Sequence, residues 1–226
     1  MDRLSTGVTG LDELIEGGLK PKSINLVVGE AGSGKSTFAT HFLLAGAKAG
    51  EVGLYVSVEE SKEKFFDNMR KFGFDLATLE AEKKLVFHKA NTPELRDFLD
   101  RGIISFEQYF KTYPIKRVVI DSATVLMLSY NAETSQRSAL LTLFELLGKL
   151  GVTVLVTSES EDNQARFGLE YIVDSIFRLY YRKVGQERVR TLEVFKMRGT
   201  DHSKQEMVYR LGKGGIMLYP SEKILV

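Results

Sequence analysis

The chain alternates short apolar, β-branched runs with stretches whose apolar residues recur every three or four positions, the pattern of strands interleaved with helices. Ile24 to Val28 is the first such run, and the residues from Lys35 onward have helix-forming composition. Gly53 to Val58 is the second. After it Ser61 can cap a helix carrying Phe65, Phe66, Met69 and Phe72, which Gly73 ends. Leu85 to His88 is the third. Thr92-Pro93-Glu94 then opens a helix whose Leu95, Phe98, Leu99, Ile103, Phe106 and Phe110 form one apolar stripe, expected to be core. Arg117 to Asp121 and Val152 to Thr157 read as strands on either side of a helix, Ala132 to Leu150, with Leu140, Leu143, Phe144 and Leu147 on one face. This alternation predicts an α/β fold, a mostly parallel sheet flanked by helices. From Tyr171 the pattern changes to strand-like runs joined by turns at Gly185, Gly199 and Gly212 to Gly215, which predicts antiparallel C-terminal edge strands. Ahead of the first strand, Leu11, Leu14 and Ile15 make a helical turn closed by Gly17 and Gly18, expected to be a lid or entry segment rather than a separate domain.

Composition narrows the picture. At 226 residues, the span 1–226 fits a single domain large enough to bury a core without staples. Cysteine is absent, which excludes disulfides, iron–sulfur clusters and thiolate zinc sites and suits a reducing compartment. The histidines, His41, His88 and His202, have no metal-ligand spacing. No apolar run approaches membrane-spanning length and the first residues lack a signal-peptide core, so a cytoplasmic protein without a membrane partner is expected. With 31 basic and 30 acidic residues the net charge is +1, and any nucleic acid must be met by a local patch. Scarce Asn and Gln beside abundant Lys and Glu suit a thermophile.

Candidate chemistry begins with G-x-x-x-x-G-K-S at Gly29 to Ser36, between the first strand and its helix, a P-loop in its proper context. Gly29, Gly32 and Gly34 let the backbone turn its N–H groups inward, and with Ser33 and Thr37 they form a nucleotide-binding nest at the positive end of the helix dipole. Lys35 should reach the β- and γ-phosphates of ATP, and the Ser36 hydroxyl should bind Mg²⁺. Arg117 to Asp121 fits the strand expected beside the P-loop strand, its Asp121 carboxylate holding the same metal through water. Glu59 and Glu60 follow the second strand, where a carboxylate can orient or deprotonate the attacking water; the same charges also favour a helix N-terminus. Further on, Lys196 and Arg198 should share one face of an extended strand, with Thr200 beside them. Spacing alone favours a solvated strand face there. Between Arg178 and Arg198 seven basic residues lie near Tyr180 and Tyr181, a hairpin that could contact single-stranded DNA.

Over nearly its whole length the chain resembles the RecA superfamily and, within it, the KaiC-like ATPases. The matching phrases are STGVTGLDELIEGGL at 5 to 19, GEAGSGKST at 29 to 37, YVSVEES at 55 to 61, VVIDS at 118 to 122, TLEVFKMRGTDH at 191 to 202 and GGIMLYP at 214 to 220. The resemblance implies a RecA-like fold and a homo-oligomeric ring, often a hexamer, with ATP between subunits. It implies that Lys196 and Arg198 act in trans on the phosphates, that Met197, Thr200 and His202 are further nucleotide contacts, and that Glu59 and Glu60 are the catalytic carboxylates. Residues 161 to 168 carry no hydroxyl, so the autokinase activity of clock KaiC is not expected. Single-domain archaeal RadA paralogues share much of this phrase set, which leaves a recombination accessory that binds single-stranded DNA as one alternative. A scaffold assembled by ATP with little turnover is the other.

Overall fold

The computed structural model describes residues 2–91, 93, 107–128, 130–161, 164–165 and 168–221. Its strands are β1 (Ile24–Gly29), β2 (Val52–Ser57), β3 (Leu85–Lys89), β4 (Ile115–Asp121), β5 (Thr153–Glu161), β6 (Gln164–Ala165), β7 (Ser175–Val184), β8 (Glu187–Met197), β9 (Met207–Gly212) and β10 (Gly215–Tyr219). They form one sheet in the order β10-β9-β8-β7-β1-β5-β4-β2-β3, with β6 paired only to β5. The block from β7 to β3 is parallel, and β8, β9 and β10 add on antiparallel. Two sequence expectations change here. The antiparallel part starts at β8 rather than at Tyr171, because Tyr171 lies in a helical turn and β7 pairs parallel with β1. And β4 does not lie beside β1, since β5 is hydrogen-bonded to both.

The described helices are α1 (Lys35–Lys48), α2 (Lys62–Lys71), α3 (Leu76–Ala81), α4 (Glu107–Thr112), α5 (Ala123–Leu128), α6 (Glu133–Lys149) and α7 (Leu169–Ile172). Ser61 caps α2 by accepting from the Lys64 N–H. The inner strands are apolar on both faces because each face meets a separate layer. Leu26, Val28, Leu54, Val56, Val118 and Ile120 pack on one side with Leu140, Leu143, Phe144 and Leu147 of α6. On the other side Val27, Tyr55, Val119 and Leu155 meet Phe38 and Phe42 of α1 and Phe65 of α2. Of the stripe expected from Leu95 to Phe110, all but Phe110 lies outside the described residues; Phe110 packs on the first layer. No described helix is long and apolar enough to cross a membrane.

The segment before β1 is a buried strap and not a lid. Leu11, Ile15 and Leu19 are fully buried in the second layer. Leu4 and Leu19 exchange backbone hydrogen bonds at 2.8 Å, and Thr9 accepts from the Leu218 N–H at 3.0 Å. Arg117, itself buried, closes the strap: its guanidinium donates to the Ser5 carbonyl at 2.7 Å, the Phe42 carbonyl at 2.8 Å and Glu51 at 2.5 Å. The apolar residues that suggested a helical turn are committed to the core, so little is left to cover a ligand.

Candidate nucleotide site

The loop between β1 and α1 needs glycine for two different reasons. Gly32 (φ 79°) and Gly34 (φ 95°) sit in the left-handed region that a Cβ disfavours. Gly29 is extended but crowded: a Cβ there would meet the Leu179 carbonyl oxygen at 2.5 Å and Ser33 Oγ at 2.6 Å. Lys35 folds back over the loop, donating to the carbonyls of Gly29 at 2.8 Å and Glu30 at 3.0 Å. Burial lowers the pKa of its ammonium below the ordinary lysine value, against the opposing pull of Glu159, Asp121, Glu59 and Glu30. A cation held only by neutral carbonyls in a partly dry site is free to exchange them for phosphate oxygens. The Ser33 side chain is buried under the loop and its carbonyl accepts from the Tyr209 phenol, so Ser33 offers backbone only. Thr37 is likewise buried, inside the first turn of α1.

Asp121, at the end of β4, reaches the loop across the intervening strand. Its Oδ2 accepts from the Ser36 hydroxyl at 2.7 Å and from the Tyr55 phenol, and its Oδ1 accepts from the Thr157 hydroxyl of β5. Burial, then the adjacent Asp121 charge, raise the Tyr55 pKa well above the usual phenol value, so the phenol stays neutral and donates. Glu59 and Glu60 differ in surroundings. Glu59 Oε1 accepts from Ser122 at 3.0 Å, whereas Glu60 Oε1 is met by Lys64 at 3.3 Å and Asn68 at 3.4 Å. Both line a cavity of about 230 Å³ together with Ser36, Tyr55, Ser57 and Asp121. Among the described residues no cluster of three or more His, Cys, Asp or Glu could hold a metal by itself. One hydroxyl and one carboxylate suit Mg²⁺, a hard ion that keeps waters and takes substrate phosphates as its remaining ligands.

A second cavity of about 350 Å³ continues from the loop past Thr37 to Asn68, Lys71, Phe72 and Leu211. Sequence reading missed this wall. Asn68 to Phe72 look like an ordinary helix face and Leu211 like any strand residue; only the fold sets the end of α2 and β9 beside the loop.

The Lys196–Arg198 phrase lies elsewhere. Met197 stands opposite Ser175 and Ser175 opposite Asn25, at the foot of the parallel strands, whereas Gly29 is level with Leu179. Four strand residues separate the two levels, about 13 Å. Lys196 donates to the carbonyls of Glu170 at 2.8 Å and Val173 at 2.9 Å, and Arg198 donates to that of Tyr171 at 2.9 Å. Arg198 also meets the Asp174 carboxylate at 3.7 Å, so both cations sit on α7 and the two residues that follow it. Burial and then the neighbouring Arg198 charge lower the Lys196 pKa. Thr200 accepts from Arg3 at 2.9 Å, His202 Nδ1 faces the Ser203 carbonyl at 2.9 Å, and Met197 is mostly buried. The structure thus brings together residues 29 to 37, Glu59, Glu60 and Asp121, and leaves Lys196, Met197, Arg198, Thr200 and His202 at the opposite edge.

Comparison with known proteins agrees with this architecture. The family model "ATPase: KaiC" matches residues 4–223. The chain belongs to the KaiC ATPase family. It is 34% identical over 236 residues to a UPF0273 protein of Thermotoga maritima, with 97% of each chain covered. Circadian clock protein KaiC3 of a Synechocystis strain is also 34% identical, across 99% of this chain but 47% of its own length. The chain thus spans about half the length of such clock relatives. Among solved structures, a KaiC-like protein from the hyperthermophilic archaeon Pyrococcus horikoshii superposes with a TM-score of 0.87 at 33% identity, covering 97% of this chain and 99% of that one.

In this KaiC-family chain the basic hairpin of β7 and β8 is largely engaged within the fold. Arg178 pairs with Glu170 at 2.9 Å and lies over the Phe195 ring, and Arg182 pairs with Glu206 at 2.9 Å. Arg188 donates to the Tyr181 carbonyl at 3.0 Å. Arg190 stacks on the Tyr181 ring and donates to the Gly32 carbonyl at 3.2 Å, which ties the hairpin to the P-loop.

Proposed function

We propose that this chain binds Mg·ATP in its P-loop and hydrolyses it in a site completed by a second copy of itself. The observation that carries the reading is the Ser36 hydroxyl on Asp121 at 2.7 Å, at the mouth of a glycine loop whose lysine rests on exchangeable carbonyls. The loop N–H groups and Lys35 take the β- and γ-phosphates, and Ser36 with Asp121 would hold the metal. Bound Mg²⁺ supplies charge neutralisation on the phosphate oxygens. Glu59, less encumbered than Glu60, orients a water in the adjoining cavity and accepts its proton as the water oxygen bonds the γ-phosphorus and the β–γ bridging bond breaks.

Lys196 and Arg198 complete the site of a neighbouring copy. Their place at the foot of the parallel strands, away from the P-loop of their own chain, supports this. Cations from a neighbour stabilise charge on the transferring phosphoryl group, an effect worth about 10³- to 10⁵-fold in related nucleotide hydrolases. ATP chemistry and the cysteine-free composition suit the cytoplasm.

Mixing tests the arrangement. Arg198→Ala should bind ATP but not hydrolyse it, Lys35→Ala should do neither, and the two together should recover part of the rate. No recovery would sink the assignment in trans. Wild-type specific activity should rise with protein concentration and ignore single-stranded DNA; strong, salt-sensitive stimulation by DNA would favour the recombination reading instead.

A further inference from the structure

Asp121 is held from three directions, and one of them belongs neither to the P-loop nor to β5. The Tyr55 phenol, on β2, donates to the same Oδ2 that Ser36 contacts. Strand register explains how it arrives. Ser57 stands opposite Asp121 and Tyr55 opposite Val119, so Tyr55 lies diagonally from Asp121 on one face of the sheet. Its ring is 1% exposed, 4.3 Å from Phe65 and stacked at 7° on Phe87, 5.6 Å away. A phenol packed in this way delivers its hydroxyl to one point.

The other two donors are less suited to keep Oδ2 in place. Thr157 donates to Oδ1 alone, so it pins the carboxylate at one oxygen without aiming the other at Ser36. Ser36, in the first turn of α1, spends its hydroxyl proton on Oδ2 and must also turn its oxygen to the metal. Among the described residues only Tyr55 ties Oδ2 to the sheet.

We propose that Tyr55 is a positioning residue for the metal: it fixes the Asp121 carboxylate toward Ser36, so that Mg²⁺ entering with the nucleotide meets an already oriented ligand. This rests on the Mg·ATP reading of the same site. Residues that orient a metal's carboxylate ligand from outside typically change metal affinity by about 10- to 100-fold when removed. The hydroxyl, not the ring, carries the effect.

The experiment is equilibrium binding of a fluorescent ATP analogue, titrated with MgCl₂ and repeated in EDTA, for wild type and Tyr55→Phe. The half-saturating Mg²⁺ concentration should rise about tenfold in the variant, while affinity in EDTA stays unchanged. An equal Mg²⁺ requirement overturns the proposal, and so does equal weakening with and without the metal, which marks a merely structural tyrosine. Should Tyr55→Phe fail to fold, Phe87→Leu keeps the hydroxyl but loosens the ring; it should raise the Mg²⁺ requirement severalfold, and no rise overturns the proposal. A wild type that binds no nucleotide with Mg²⁺ would overturn the ATP reading along with it. Normal wild-type binding with an unmoved variant overturns the Tyr55 role alone.

Discussion

Acid should loosen this protein through one residue, His41. The ring lies in α1, two turns past the P-loop, where Nε2 accepts from the Ile216 N–H of β10 at 2.8 Å and the Gly7 backbone supplies a second hydrogen bond. Phe74 meets it edge-on with centroids 5.1 Å apart. A protonated ring would set N–H against the Ile216 N–H inside a buried site, so the fold strongly prefers the neutral form. Burial accordingly lowers the His41 pKa from 6.5 to about 4, with Lys48 acting in the same sense and the Gly7 bond opposing. The unfolded chain binds this proton more readily than the native one. Its contribution is therefore complete above pH 6.5 and is lost as pH falls from there towards 4. A shift of about 2.5 units at roughly 1.4 kcal/mol each means a loss of about 3 kcal/mol by pH 4, a large share of the 5–15 kcal/mol typical of a domain. Carboxylates also titrate in this range, so the assay must cancel them. Urea unfolding at pH 7, 6, 5 and 4 should be run on wild type and on His41→Gln, which keeps an acceptor but cannot gain the charge. The stability difference between the two should shift by about 3 kcal/mol in favour of the variant between pH 7 and pH 4. Parallel curves across that window would refute the reasoning.

Other expectations concern single groups. Arg117→Met should cost about 3–5 kcal/mol in unfolding free energy, because it strands Glu51 and leaves the Ser5 and Phe42 carbonyls without their buried donor; a loss under 1 kcal/mol by chemical denaturation would contradict the clamp described above. Glu59→Gln should lower ATP turnover by about 10²- to 10⁴-fold with nucleotide binding retained. Glu60→Gln, whose carboxylate already meets Lys64 and Asn68, should lower it far less, and the reverse order in steady-state rates would exchange their roles.

The sequence by itself determined the alternation of strand and helix and the loop at Gly29 to Ser36, because each follows from local chemistry. Glycine alone tolerates φ near 80–95° at 32 and 34, Ser61 caps the helix it precedes, and a β-branched apolar run has few places other than a buried strand. Such constraints act within a few residues and can be read in a line. Tertiary structure decided what depends on which distant segments become neighbours. It inserted β5 between β1 and β4, made the strap of Leu11, Ile15 and Leu19 core instead of lid, and set Lys71 and Leu211 beside the loop. It also turned Tyr55 from an unremarkable strand residue into a donor to Asp121, since a strand's hydrogen-bonded neighbour and its register are chosen by the packing of the whole sheet and not by the strand's own residues.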